Sequence, residues 1–170
     1  MSESDAASDA DWNRRERRET PLERLDRNYL ELLQEMRVAQ TGPQILFAFL
    51  LTLAFSQRFA IVTPFQRGLY YVTLLLSAIA TSLLIAPVSA HRLLFRAHAK
   101  EQLVKAANRL AIAGLLSLCL AIIGVLWFIT DVLFGHLPGA IVALLSACWF
   151  GALWYALPLV WLARPKRQRS

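Results

Sequence analysis

The sequence predicts an all-α protein, an integral membrane four-helix bundle preceded by an N-terminal cytoplasmic amphipathic helix. Three observations predict it: four long apolar runs without charge, a membrane-like composition, and a skewed distribution of Lys and Arg. Of the 170 residues, 56% are hydrophobic and 18% are charged, and the mean hydropathy is +0.44. A soluble domain of this size would need more polar residues to cover its surface.

Four runs of the chain contain no Asp, Glu, Lys, Arg or His. They lie between Arg37 and Arg58, Arg67 and His91, Arg109 and Asp131, and His136 and Arg164, and hold 20, 23, 21 and 27 residues. A helix of about 20 residues crosses the ~30 Å of hydrocarbon in a bilayer. We therefore predict a membrane domain over residues 41–163, with spans at about 41–59, 68–90, 110–130 and 139–163.

The basic residues predict how the chain is threaded. Sixteen of them lie in the N-terminal segment, in the 92–109 loop and in the C-terminal tail, whereas only Arg58 and Arg67 flank the first loop. Lys and Arg accumulate on the cytoplasmic side of a membrane. The protein should therefore lie in the plasma membrane with both termini and the 92–109 loop in the cytoplasm. The 58–67 and 131–139 loops should lie on the external side. Since the first 40 residues are polar, we expect no cleavable signal peptide.

Before the first span, a disordered tail and a helix are expected. Residues 1–19 contain almost no large apolar side chains and should form a disordered cytoplasmic tail; residues 164–170 should form a basic one. A helix should begin at Thr20, because Thr20-Pro21-Leu22-Glu23 is a capping box with Pro at the first helical position. Gly42-Pro43 should then break or kink the chain.

Residues 20–40 carry an apolar stripe with the spacing of one helix face. Its members are Leu22, Leu25, Tyr29, Leu32, Met36 and Ala39. The segment has a net charge of −1, unlike the Lys/Arg-rich helices that lie on lipid, so contact with protein is favoured over the membrane surface. One hypothesis is docking on the basic 92–109 loop, with Glu31 and Glu35 against Lys100 and Lys105. Two independent solvated helices are the alternative.

Small residues recur at every fourth position in three predicted spans, which lets helix backbones approach closely. They are Ala78, Ser82, Ala86 and Ala90 in the second span, Ala113, Ser117 and Ala121 in the third, and Gly139, Ala143, Ala147 and Gly151 in the fourth. We predict helix-packing faces, either within the bundle or between subunits. Chance alignment in an Ala-rich chain is the alternative.

The predicted spans contain no ionisable side chain of the kind that proton and sodium pathways usually need. Candidates for transport are Thr73, Ser77 and Thr81, on one face of the second span, and Asp131 and His136, at the external end. Hydroxyl groups that bond to backbone or to neighbouring helices, and a simple polar loop, are the favoured interpretations. We predict no catalytic residues, cofactor or metal site, since no motif for them is present. Basic charge without a motif does not indicate nucleic-acid binding.

Three segments resemble a family of small bacterial membrane proteins known only as a domain of unknown function. They are residues 31–53 (ELLQEMRVAQTGPQILFAFLLTL), 85–95 (IAPVSAHRLLF) and 103–111 (LVKAANRLA), and the likeness covers about residues 20–135. The resemblance implies a four-span inner-membrane protein of a family found mainly in high-GC Gram-positive bacteria. Some of its members are labelled sodium/proton antiporters.

Two functional hypotheses follow. The first is a structural, accessory or partner-binding protein, whose partners are the lipid bilayer and a second copy of the chain or another membrane protein. The second is a small sodium/proton antiporter-like transporter or transporter subunit.

Overall fold

The computed structural model describes residues 20–94 and 100–163, which form helices and contain no β-strand. The elements are α1 (Pro21–Ala54), a 3-10 helix (Gln57–Ile61), α2 (Pro64–Leu94), α3 (Lys100–Phe134), α4 (His136–Gly151), a π-helical turn (Ala152–Ala156) and α5 (Leu157–Ala163). The all-α prediction is confirmed for these residues. The two predicted tails, 1–19 and 164–170, lie outside the described residues, as do positions 95–99 of the predicted cytoplasmic loop.

Three helical segments among the described residues are long and apolar enough to cross a membrane. They are Pro64–Ser89, Val104–Phe134 and His136–Val160, and they coincide with the second, third and fourth predicted spans. The first predicted span, 41–59, is not among them, because α1 ends at Ala54 and a 3-10 helix follows. Its apolar stretch, 45–54, covers only ~15 Å as a helix, about half of the hydrocarbon thickness. The count of four spans therefore stays a prediction.

Helix α1 begins at the predicted capping box. The backbone N–H of Thr20 donates to Glu23 Oε2 at 2.8 Å, and the backbone N–H of Glu23 donates to Thr20 Oγ1 at 3.3 Å. The bond from the Thr20 backbone, and then the bond from its hydroxyl, hold the pKa of the Glu23 carboxyl below its ordinary 4.5. The start of this helix is confirmed.

At Gly42-Pro43 we predicted a break or a kink. The break is wrong, since α1 is helical from Pro21 to Ala54 with Pro43 inside it, and the kink stays a prediction. A proline within a helix removes one backbone hydrogen bond. Here the ring is fully buried, and the Pro43 carbonyl accepts a hydrogen bond from Ser77 Oγ of α2 at 3.1 Å. Packing and an interhelical bond therefore outweigh the local breaking tendency.

The chain divides into two compact units. The first contains residues up to Gly42 and Thr81–Gly114. Its core is Met36 of α1, Leu84 of α2 and Ala111 of α3, with Leu32, Leu33 and Ala39 packed around them. Gln40 Nε2 donates to the Leu84 carbonyl at 2.7 Å. Three helix segments thus meet around Leu84.

The second unit contains Pro43–Ala80 and the chain from Leu115 onward. Its buried cluster is Leu50, Val62, Tyr70, Val125 and Phe128. The Tyr70 hydroxyl donates to the Leu50 carbonyl at 2.8 Å, and its ring lies edge-on to Phe59 with centroids 4.6 Å apart. α1, α2 and α3 therefore pack around Tyr70, and this unit also carries the polar cluster described next.

Candidate functional site

A second capping box starts α2 and orients one amide. In Thr63-Pro64-Phe65-Gln66, the Thr63 backbone N–H donates to Gln66 Oε1 at 2.9 Å, and the Gln66 N–H donates to Thr63 Oγ1 at 3.2 Å. Because Gln66 Oε1 is an acceptor in this cap, its Nε2 is free to act as a donor elsewhere. Gln66 was not among the predicted site residues, although its T-P-x-Q pattern matches the T-P-x-E pattern at Thr20.

The donor Nε2 of Gln66 bonds a buried carboxylate. Asp131 of α3 is 5% exposed, and its Oδ1 accepts from Gln66 Nε2 at 2.8 Å. Its Oδ2 lies 3.0 Å from Nδ1 of His136, the first residue of α4. We expected Asp131 in a loop at the external end. The loop is wrong for this residue, because α3 continues to Phe134, and the external position stays a prediction.

The turn between α3 and α4 brings His136 back to Asp131. Gly135 separates the two helices and has φ +91°, in the left-handed region that favours glycine. Its N–H donates to the Asp131 carbonyl at 3.0 Å. Against the buried Asp131 carboxylate, the His136 side chain is 67% exposed. The pair therefore joins a buried carboxyl group to an exposed imidazole.

Two aromatic side chains, Phe65 and Trp127, pack beside this pair. The His136 ring lies edge-on to Phe65, with centroids 4.9 Å apart, and Phe65 packs on Trp127 with centroids 5.7 Å apart. Trp127 Nε1 is buried and has no hydrogen-bond partner among the described residues. A Cβ atom added to Gly139 would lie 3.0 Å from both Asp131 Cβ and Trp127 Cδ1. The first turns of α4 therefore pack directly against α3 at this cluster.

Two contacts satisfy the buried carboxyl group of Asp131. A carboxylate removed from water is costly unless hydrogen bonds compensate it, and Gln66 and His136 supply one contact to each oxygen. Among the described side chains no group of three or more His, Cys, Asp and Glu residues could hold a metal ion.

The predicted hydroxyl face is divided in the structure. Thr73 Oγ1 donates to the Leu69 carbonyl of its own helix at 2.7 Å, and Ser77 bonds the Pro43 carbonyl of α1. Both residues are buried in the second unit, whereas Thr81 is half-buried in the first. A Cβ at Gly124 of α3 would fall on the Thr73 hydroxyl. Ser77 thus joins two helices, and Thr73 lies where α2 and α3 approach closely.

The small residues predicted to form packing faces differ in how deeply they are buried. Gly139, Ala143 and Ala121 are buried, Ala78, Ala86, Ala113, Ser117 and Gly151 are half-buried, and Ser82 and Ala147 are exposed. A Cβ at Gly151 would have no neighbour within 4 Å. In His136–Val160, only 6% of the apolar 18-residue stretch is buried, whereas 39% of the corresponding stretch in Val104–Phe134 is buried. The face of α4 is therefore packed at Gly139 and open at Ala147.

Two of the predicted docking residues make apolar contacts where the structure describes them, and three are exposed charged residues. Leu32 and Met36 pack with Leu84 and Ala111, while Glu31 Oε1 accepts from Arg27 of the same helix at 3.0 Å. Glu35 and Lys105 are exposed. The side chains of Leu25, Tyr29 and Lys100 lie outside the described part. The N-terminal half of α1 is thus held to α2 and α3 by burial of Met36.

Comparison with known proteins gives a family and no function. Residues 18–158 match the family of unknown function DUF6328. No curated protein matches the chain, and no solved structure matches it either.

Proposed function

We propose that this chain, which belongs to the DUF6328 family of unknown function, is an accessory protein that binds another membrane protein within the bilayer. It crosses the plasma membrane four times with both termini in the cytoplasm, and it needs no cofactor and catalyses no reaction. The sixteen basic residues at the termini and in the 92–109 loop support this orientation. A first span at about 41–59, which would include the end of α1 and the start of the 3-10 helix, would complete the even number of crossings.

The N-terminal half of α1 serves as an amphipathic cytoplasmic helix in this proposal. Leu32 and Met36 face the first unit's core, while Leu30, Glu31 and Glu35 are exposed. This half of the helix therefore anchors the cytoplasmic end of the protein.

One observation supports the partner-binding role: no other part of the described chain covers the small-residue face of α4 in its second half. Gly139 and Ala143 are buried within the chain, but Ala147 is exposed and Gly151 has open space beside it. Small residues allow a second helix to approach closely, and van der Waals packing then replaces the hydrophobic drive that is missing in lipid. A transmembrane helix of a partner protein fits this open half.

Photo-cross-linking in living cells tests the proposal. A photoreactive amino acid at Ala147 should give a defined cross-linked protein, and the same group at Leu145 should not. Leu145 is also exposed, and two residues along a helix is a rotation of about 200°. Ala147→Leu, with the probe at Gly151, should abolish the adduct. Labelling of lipid alone at position 147 would contradict the partner-binding role.

Transport is a second candidate, favoured by the burial of Asp131 within an apolar helix. Ionisable residues are expensive in a membrane helix and often mark ion pathways. In this alternative Asp131 carries the proton or cation of a small sodium/proton antiporter. Sodium-dependent proton flux in proteoliposomes, lost in Asp131→Asn and retained in Glu31→Gln, would favour transport. Absence of flux in the wild-type protein would exclude it.

A further inference from the structure

We propose that a groove beside the 3-10 helix binds one acyl chain of an anionic phospholipid, and that Arg58 and Arg67 attract the phosphate of its headgroup. The groove has a volume of about 150 Å³ and lies within the second unit, where the end of α1, the 3-10 helix and the end of α3 meet. The inference does not depend on which protein the chain binds or on whether it transports ions.

The groove lies where α1 gives way to the 3-10 helix. α1 ends at Ala54. The chain then turns, with the Ser56 N–H donating to the Leu53 carbonyl at 3.1 Å. The turn leaves a space beside the last two turns of α3. Side chains of α1, of the 3-10 helix and of α3 line this space, among them Phe49, Leu53, Ser56, Phe59, Phe128 and Ile129.

Tyr70 of α2 fixes two aromatic walls of the groove. Its ring lies edge-on to Phe59, with centroids 4.6 Å apart, and beside Phe128, with centroids 5.8 Å apart. Its hydroxyl donates to the Leu50 carbonyl of α1 at 2.8 Å. One buried side chain thus contacts all three elements that form the groove, so the walls are in place before a ligand binds.

The lining of the groove excludes water. Ser56 is the one polar residue among the lining side chains, and its Oγ donates to the Leu53 carbonyl at 2.8 Å. A bound water molecule needs about two to four polar partners, which this lining does not offer. An empty groove forfeits the dispersion contacts of its lining atoms. Hydrocarbon is therefore the occupant that the groove fits.

Size and position select an acyl chain. A dry cavity of about 150 Å³ holds a molecule such as benzene, with about six carbon atoms. A helix of a partner protein, about 10 to 12 Å across, cannot enter a space of this size. Ile129 and Leu133, two exposed lining residues, belong to Val104–Phe134, which is long and apolar enough to cross a membrane. The groove therefore opens onto the hydrocarbon of the bilayer, where acyl chains surround it.

Two arginines flank the groove in the sequence. Arg58 belongs to the 3-10 helix that forms one wall, although its side chain lies outside the described part. Arg67 follows the lining residue Val62 by five positions and is exposed in the first turn of α2. Both arginines are at the ends of apolar segments, where a long basic side chain reaches the level of the lipid headgroups.

The balance of charge favours an anionic lipid over a neutral one. Residues 43–80, which include both arginines, contain no Asp or Glu. Asp131, near the same end of α3 as the groove, is buried and already accepts a hydrogen bond from Gln66. A guanidinium binds a phosphate through two parallel hydrogen bonds. The excess positive charge therefore suits a phosphate headgroup that is net negative.

Lipid titration of the full-length protein in detergent tests the proposal. Native mass spectrometry measures the dissociation constant for dioleoyl phosphatidylglycerol, which is anionic, and for dioleoyl phosphatidylcholine, which is zwitterionic. We expect one phosphatidylglycerol to bind at least about five-fold more tightly, since one nearby arginine contributes about that factor. Equal affinities for the two lipids would overturn the proposal of an anionic headgroup.

Ile129→Trp tests the groove, because a larger side chain there fills the space that the acyl chain occupies. It should weaken binding of both lipids about ten-fold, through loss of on the order of ten carbon–carbon contacts. Ile141→Trp, at an exposed position of α4 outside the groove, is the matched control and should bind both lipids as the wild-type protein does. If Ile129→Trp does not fold, Leu133→Trp takes its place, with Leu144→Trp as its control.

Arg67→Gln tests the headgroup. It should weaken phosphatidylglycerol binding about five-fold and leave phosphatidylcholine binding unchanged. Arg37→Gln, at an exposed arginine of the first unit, is the control and should change neither. If the tryptophan variants in the groove bind both lipids as their controls do, another occupant fills the groove, such as a side chain of a partner protein, and the proposal is overturned.

Discussion

Gln66 Nε2 donates to Asp131 Oδ1 across 2.8 Å, so the residue that caps α2 also holds the buried carboxylate of α3. The two residues are 65 positions apart in the chain. Because Gln66 Oε1 is already bonded to the Thr63 backbone, the amide has a fixed direction and can present only its donor to Asp131. The start of α2 and the end of α3 are therefore one hydrogen-bonded assembly.

Replacement of Gln66 by Glu should destabilise this assembly at neutral pH. A glutamate still accepts the Thr63 N–H, but it cannot donate to Asp131 and instead sets two carboxylates against each other. We expect a loss of about 1 to 3 kcal/mol in the free energy of unfolding, measured by denaturant titration in detergent.

The pH dependence of the stability loss distinguishes carboxylate repulsion from a general packing defect. As pH falls, one of the two carboxyls in Gln66→Glu binds a proton and becomes a donor, so the stability difference from wild type should shrink. A difference that stays constant down to about pH 4 would show that carboxylate repulsion is not the cause.

Tyr70→Phe should cost about 0.6 to 1.7 kcal/mol, since it removes one interhelical hydrogen bond within an apolar environment. The lost bond is from the Tyr70 hydroxyl to the Leu50 carbonyl. Tyr71→Phe is the matched control, because Tyr71 is exposed and should tolerate the change. Equal effects of the two substitutions on unfolding in detergent would contradict the assigned bond.

Gly124→Ala should destabilise the approach of α3 to α2 by about 1 to 3 kcal/mol through overpacking. A Cβ there meets the Thr73 hydroxyl and lies 3.3 Å from Thr73 Cβ. Adding Thr73→Ala should recover part of the loss, because the hydroxyl is removed. Gly68→Ala, with no neighbour within 4 Å, should be neutral or slightly stabilising. Thermal unfolding of the four proteins would reveal this order or refute it.

The start of α1 should loosen in acid. The pKa of Glu23 is lowered by the Thr20 bonds, so the ionised carboxylate stabilises the cap above its ordinary 4.5 and that contribution is lost as pH falls through the lowered value. Amide exchange at Thr20 and at residues 22–24, corrected for intrinsic pH effects, should accelerate relative to the rest of α1. Thr20→Ala should accelerate it at neutral pH but keep a pH response, because the backbone N–H of residue 20 still bonds Glu23. Glu23→Gln should remove the pH response, and a response that persists in Glu23→Gln would argue against the cap.

Local patterns in the sequence predicted the features that depend on residues close together in the chain, namely helix starts and apolar helical segments. The capping box at Thr20 and the apolar spans 68–90, 110–130 and 139–163 depend on residues within a few turns, and the structure has helices at those places. The proximity of Asp131 and His136 could be suspected from their spacing. The second capping box, at Thr63, has the same local pattern, so the same rule could have predicted it.

Contacts between distant segments could not be predicted in this way. Pro43 stays helical because its ring is buried and Ser77 bonds its carbonyl, and neither fact is visible near position 43. Asp131 is a member of a buried cluster because Gln66 reaches it from another helix. The spacing of residues predicts which of them share one face of a helix, but it does not predict which other helix packs against that face.

The number of crossings is the most direct test of this account. Three helical segments among the described residues have the length and hydropathy expected of a span. The predicted first crossing, at about 41–59, would make the number even. Reporter fusions at each end of the full chain, active only on one side of the membrane, measure this parity. The account predicts that both termini report the cytoplasm; termini on opposite sides would contradict it.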